Sequence, residues 1–378
     1  VIPYGRQKID DADVAAVIEV LRSDWLTTGP KVDEFERDVA HYVGAKHAVA
    51  VSSGTAALHA AMYALGITPG DEVIVSPMTF AASANCIVFQ GGLPVFADVD
   101  PDTLLIDPER VEEKITSRTK AIVAVDYAGH PCDYDALNAL AGQYRLKLVA
   151  DACHSLGATL KNRPAGSLAD MSTFSFHPVK HITTGEGGMV TTNDASFAQR
   201  MRRFRNHGIT TDHRERHSQG EWFYEMVDLG YNYRITDFQC ALGASQLLKL
   251  NAWINRRQRI AERYSEAFED LVGIRPLQVR PQVSHAYHLF VIRVDAQGAG
   301  ITRNQLFRTL REHGISANVH YIPVHLHPYY RSRFNIGGGL CPVAEHAYGE
   351  ILSLPIFPGM TDEDVETVID AVRNAVSS

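Results

Sequence analysis

The 378-residue chain has no run of the roughly twenty apolar residues that a membrane-spanning helix requires. It has no excess of basic residues either: 36 Lys and Arg stand against 44 Asp and Glu, a formal charge of −8. That balance argues against nucleic-acid or membrane-surface binding, but not against a small anionic ligand, which needs only a local positive site. Cysteine is scarce. Cys86, Cys132, Cys153, Cys240 and Cys341 are odd in number and show no CxxC spacing, so scattered reduced thiols of a cytoplasmic protein are expected. The opening VIPYGRQKIDDADV lacks the apolar stretch of a signal peptide. Neither a GxGxxG nor a GxxxxGKS/T pattern occurs, which disfavours a dinucleotide site and a P-loop.

What is present is a repeating alternation. HAVAVSS (47–53), EVIVSP (72–77), LPVFADV (93–99), AIVAVD (121–126), LKLVADAC (146–153), MSTFSFH (171–177) and GGMVTTN (187–193) read as strands. Most are continuous apolar runs, as expected for strands covered on both faces. Helical stretches such as TAALHAAMYAL and DPERVEEKI fill the early gaps, so the fold class is α/β with a doubly wound sheet. The short link between 177 and 187 leaves no room for a helical crossover. The last two strands are therefore expected to pair antiparallel, giving seven strands, mostly parallel, with one reversed.

A chain this long tends to form two lobes. After residue 236 an almost uninterrupted helical pattern runs towards Gly273. A smaller α+β unit follows: strand 288–295, helix 303–313, strand SANVHY (316–321) and helix 362–376. The division is expected near 250, with residues 1–250 as the large lobe and 251–378 as the small one.

Open α/β sheets bind ligands beyond the carboxyl ends of their parallel strands. There the first strand runs into Ser52-Ser53-Gly54-Thr55-Ala56, where a helix start offers free N–H groups to a phosphate. A plain Ser-capped helix fits the same residues. Asp151 ends an apolar strand and needs a partner: a metal with His154, a protonated ring nitrogen, or simply the next turn. Lys180, just past MSTFSFH, is a solvated loop lysine or an amine able to attack a carbonyl once desolvated. Ser175, on the strand before it, is placed to share a phosphate with Gly54 and Thr55. Taken together these residues describe one ligand, pyridoxal 5'-phosphate: a phosphate cup, a carboxylate for its ring nitrogen and an amine for its aldehyde.

The segments VSSGTAALHAAMYAL, PMTFAASANCIVFQGGLPVFADVD, VDYAGHP, ADACHSLGA, SFHPVKHITTGEGGM, GYNYRITDFQCALG and VHYIPVH occur in that order. Along essentially the whole chain they resemble the sugar aminotransferases among the fold-type I pyridoxal phosphate enzymes, which act on nucleotide-linked keto sugars. The variant SFHPVKHITTGEGG is most similar to the 4-aminotransferases of pseudaminic acid biosynthesis. The resemblance implies that Lys180 anchors the cofactor, Asp151 pairs with its ring nitrogen, Phe80 stacks on the ring and His154 lies close to it. It implies that Gly54, Thr55, Ala56 and Ser175 hold the phosphate, with Asn232 reaching in from a second subunit of a homodimer. Tyr4, the stretch Asp24, Trp25, Leu26 and Thr27, and the stretch His320, Tyr321, Ile322 and Pro323 match substrate-contacting segments. The implied substrates are L-glutamate and a UDP-linked keto sugar.

His320, His325 and His327 invite a zinc reading, but no carboxylate or cysteine cluster completes a ligand set, and contact with a nucleotide or sugar fits better. A sugar dehydratase or a non-catalytic binding protein on the same scaffold are the more distant readings. The dehydratases of this group carry histidine at the lysine position, so Lys180 counts against the first. His177 and His181 read as markers of pocket shape.

Overall fold

The computed structural model describes residues 1–376. Its central sheet has seven strands: β1 (His47–Val51), β2 (Glu72–Val75), β3 (Leu93–Phe96), β4 (Thr119–Val125), β5 (Lys147–Asp151), β6 (Met171–Ser175) and β7 (Gly188–Thr192). The spatial order is β1-β7-β6-β5-β4-β2-β3. β7 runs antiparallel to both of its neighbours and the other six strands are parallel, as the short 177–187 link requires. Val49, Ala50, Val51, Val73, Ile74, Val75, Ile122, Val123, Leu148 and Val149 are fully buried, which explains their continuous apolar pattern.

Register sets the site. Val51 pairs with Gly188 and Gly188 with Ser175, while Val125 pairs with Asp151 and Asp151 with Thr173. The carboxyl ends of β1, β4, β5 and β6 thus share one edge of the sheet. A Cβ on Gly188 would lie 2.3 Å from the Ser53 carbonyl oxygen, so only glycine lets β7 pass the loop after β1.

Two features differ from the sequence reading. The helical pattern after 236 divides into Asp237–Leu247 and Leu250–Phe268, with Leu248 and Lys249 between them. SANVHY is not a strand: it makes one isolated bridge, Asn318 to Ser353. The third strand of the small sheet is Ile351–Leu354, which pairs with Phe290–Val294, itself paired with Ile274–Pro276. Ile351 directly follows the helix Pro342–Glu350, so no turn residue marks where that strand begins. A second apolar core gathers around Ile260, Tyr264, Ile292, Leu306, Leu352 and Val368. Among the described residues, no helix is long and apolar enough to cross a membrane.

Candidate active site

The loop after β1 enters the helix Gly54–Leu65 through Ser53, whose side chain accepts the Ala56 N–H at 3.1 Å. A Cβ on Gly54 would stand 2.8 Å from Ser175 Cβ. Glycine therefore brings the helix start, Gly54-Thr55-Ala56, against Ser175 at the end of β6. Thr55 is exposed and Ala56 buried.

Asp151, at the end of β5, is 6% exposed. The Ser83 hydroxyl donates to its Oδ2 at 2.6 Å and the Cys153 N–H to its Oδ1 at 3.2 Å. Thr79 and Ser83 hydroxyls lie 2.7 Å apart behind it. None of the ion pairs found among the described residues includes Asp151. A buried carboxylate held only by neutral donors leaves a place for a cation.

Lys180 follows a turn in which its own N–H bonds the His177 carbonyl at 2.9 Å. Its side chain is half-buried, and burial pushes the amine below the usual lysine range against the opposing pull of Cys153 and Asp151. Nζ lies 3.5 Å from His288 Nε2. The His288 ring is 4.2 Å from that of His154 and 5.6 Å from that of His181, measured between centroids. Burial, with the Lys180 charge as a lesser cause, pushes His154 and His288 well below the ordinary histidine range, so both are neutral. His154 Nε2 bonds the Tyr321 hydroxyl at 3.1 Å, while its Nδ1 is buried with no partner.

Phe80 is 62% exposed, its ring 6.1 Å from that of Tyr321. Tyr4 packs on His320 at 5.4 Å, and His320 Nδ1 bonds Ser353 Oγ at 2.9 Å. Tyr127 donates its hydroxyl to the His320 carbonyl. Ile322 is exposed and Pro323 buried. One connected group thus contains Asp151, His154, Lys180, Phe80, Tyr321, His320 and Tyr4. Asp24, Trp25, Leu26 and Thr27 are tied elsewhere: all four are exposed, Thr27 bridges Thr236, and Leu26 accepts from the Asp237 N–H at 3.0 Å. Asn232 is exposed and bridges Asn206. His177 is exposed, whereas His181 is buried and bonds the Ala286 carbonyl at 3.1 Å. His325 pairs with Glu345 at 2.8 Å.

Sequence reasoning missed four residues here. Ser83 and Thr79 stand four positions apart around the start of the helix Ala82–Phe89, which was a visible signal. His288 is 108 positions from Lys180 and carried none. Asp126, at the end of β4, is buried among the Ser155 and Tyr134 hydroxyls and the Cys132 N–H, and burial raises it to about 6. Its own N–H holds the Asp151 carbonyl at 3.1 Å.

These features fit an aldehyde cofactor bearing a phosphate and a basic ring. The helix start and Ser175 supply a phosphate cup, and the uncompensated Asp151 suits a protonated ring nitrogen. Phe80 offers an open aromatic face, and the unpartnered His154 Nδ1 a further polar contact.

Comparison with known proteins agrees. The profile of the DegT/DnrJ/EryC1/StrS aminotransferase family matches residues 7–373. The spore coat polysaccharide biosynthesis protein SpsC of Bacillus subtilis is 45% identical over 377 residues, 99% of this chain and 97% of that protein. Spr1654 of Streptococcus pneumoniae in its PMP form superposes with a TM-score of 0.94 at 33% identity, covering 100% of this chain and 99% of that one. The same protein has been solved in a PLP form. Helicobacter pylori PseC, an aminotransferase involved in pseudaminic acid biosynthesis, superposes with a TM-score of 0.92 at 33% identity, covering 100% and 99%. This chain belongs to the DegT/DnrJ/EryC1/StrS aminotransferases and is a pyridoxal phosphate enzyme.

Proposed function

We propose that the protein transfers the amino group of L-glutamate to C4 of a UDP-linked 4-keto-6-deoxy N-acetyl hexose, UDP-2-acetamido-2,6-dideoxy-β-L-arabino-hexos-4-ulose. The observation that carries the reaction type is the pairing of a buried Asp151, in none of the ion pairs found among the described residues, with a half-buried amine at Lys180 close enough to feel its charge, both on the carboxyl edge of the sheet. The sugar assignment rests on the SFHPVKHITTGEGG segment and the likeness to PseC.

Bound pyridoxal 5'-phosphate supplies an aldehyde that exchanges one amine for another and a cationic ring that accepts an electron pair. Lys180 would anchor it at rest through its amine. The freed Lys180 amine, kept below its usual range by burial, takes the proton from glutamate Cα. Asp151, held in place by Ser83 and the Cys153 N–H, would keep the ring nitrogen protonated. Gly54, Thr55, Ala56 and Ser175 would hold the phosphate, and Phe80 would pack against the ring. Towards the keto sugar the same Lys180 amine would deliver a proton to C4. Tyr4 and the stretch His320 to Pro323 line the sugar's approach.

Asp24 to Thr27 contact the substrate, and Asn232 acts from the second subunit of a homodimer. Supporting this, Trp222, Phe223, Tyr224, Met226 and Leu229 form an exposed apolar stretch just before Asn232. The cytoplasm is the proposed compartment, in keeping with five free cysteines.

A second reading, transfer to another nucleotide keto sugar, is favoured by the greater identity to SpsC and by the likeness to DesI, solved with its TDP-sugar product. A substrate panel separates the two. With glutamate as donor, kcat/KM for the N-acetyl hexose is expected to exceed that for a UDP-4-keto-pentose or a dTDP-4-keto-6-deoxy hexose by about a hundredfold. Preference for either of the others would overturn the sugar assignment and leave the transaminase reading intact.

A further inference from the structure

The turn His285–His288 is held more tightly than a loop requires. Tyr287 has a positive φ of 46°, a left-handed conformation that is unfavourable for a bulky residue. Side chains grip each successive carbonyl. Gln258 donates to His285 O at 3.0 Å and His181 to Ala286 O at 3.1 Å. Arg257 reaches Tyr287 O at 3.0 Å and His288 O at 3.5 Å. From the opposite side, the Gly129 carbonyl accepts from the Ala286 N–H at 3.0 Å and the Ala128 carbonyl from the Leu289 N–H at 3.1 Å. A Cβ on Gly129 would lie 2.9 Å from both the Tyr287 and His288 nitrogens and 2.7 Å from His154 O, so glycine is needed for this approach.

Arg257 is itself unusual. It is 1% exposed, stands in the helix Leu250–Phe268, and takes part in none of the ion pairs found among the described residues. Its head group bonds only carbonyls, including Ile356 O at 2.7 Å. A buried guanidinium without a carboxylate is costly. Here it fixes the turn, and its charge opposes protonation of His288.

All of this presents one ring nitrogen, His288 Nε2, to Lys180 Nζ. We propose that His288 is a positioning residue for Lys180: its Nε2 accepts a hydrogen bond from the lysine amine once that amine is free and turns the lone pair towards the substrate carbon. The imidazole proton then sits on Nδ1, which is buried and has no partner among the described residues, a cost that the contact with Lys180 must offset. No proton passes to His288. The bond strengthens when Lys180 becomes an ammonium, so His288 also steadies the amine after it has taken the substrate's proton. The other ionisable groups facing this pair are His154, His181, His320, Arg257, Cys153 and Asp151.

The inference rests on the transaminase reading with glutamate as donor. Three holoenzymes test it: wild type, His288→Leu and His288→Gln, the last retaining an amide oxygen or nitrogen near the Nε2 position. With glutamate deuterated at Cα, His288→Leu is expected to lose about a hundredfold in kcat, with KM within about threefold and a larger isotope effect. His288→Gln should recover at least about tenfold of that loss. A second readout needs no turnover. In the amine form, made by adding pyridoxamine phosphate to the apoprotein, acetic anhydride labelling of Lys180 is followed by peptide mass across pH. The Lys180 midpoint should fall in His288→Leu, which lacks the acceptor that favours ammonium, and return towards wild type in His288→Gln. An unmoved midpoint, or equal losses in both variants with an unchanged isotope effect, would assign His288 a packing role only and overturn the proposal. If His288→Leu does not fold, His288→Ala takes its place with the same expectations: a lowered Lys180 midpoint and a larger isotope effect uphold the proposal, and an unmoved midpoint overturns it. Wild type failing to react with glutamate would refute the donor, while the labelling still tests the lysine–histidine contact.

Discussion

Replacing Lys180 with alanine is expected to leave the fold intact and to lower turnover at least about 10⁴-fold, the upper end of what one positioned acid–base group contributes. The effect is large because one side chain carries two duties, covalent anchor and proton carrier, and nothing nearby can assume either. His154 and His288 stand close, but neither ring can form the covalent anchor, and His154 is engaged through Nε2 with Tyr321. Stability should hold because the turn is built from backbone bonds that alanine keeps, including Lys180 N–H to His177 O. Removing a half-buried amine also removes a desolvation cost. The check is a thermal melt beside a glutamate half-reaction. Near-normal turnover in a folded variant would contradict the assigned role.

Asp151→Asn is expected to lower kcat by about 10²- to 10³-fold, in the range seen when one fixed electrostatic stabiliser is removed from a reacting centre. Asparagine keeps an oxygen that can accept from Ser83 but loses the charge. Its amide also has one oxygen fewer to offer the Cys153 N–H. The variant should still carry cofactor, since Lys180 and the Gly54 to Ala56 cup are untouched. Its visible absorbance should change with the loss of the ring-nitrogen partner. Steady-state kinetics and an absorbance spectrum of the holoenzyme measure both, and a kcat within about threefold of wild type would argue that the ring does not depend on this carboxylate.

The sheet was legible in the sequence because strands buried on both faces read as apolar runs, and because a ten-residue link forbids a crossover. Glycines located the site: Gly54 and Gly188 mark where the chain passes too close to Ser175 and Ser53 for any side chain. The C-terminal part was less legible. SANVHY has strand composition but leaves the sheet after one bridge, while ILSL follows a helix without a turn signal. The break at Leu248–Lys249 contains neither glycine nor proline. His288 could not be found from spacing, because its nearness to Lys180 is created by a strained turn gripped from three segments. Asn232 is exposed in a single chain, and its proposed contact with the cofactor depends on a second copy.

The most direct test is reductive trapping. The yellow holoenzyme is treated with borohydride, digested and mapped by mass spectrometry, with a parallel sample first converted by glutamate. The account predicts a phosphopyridoxyl group on Lys180 alone in the first sample and none in the second. Attachment to another lysine, or trapping undiminished by glutamate, would contradict it.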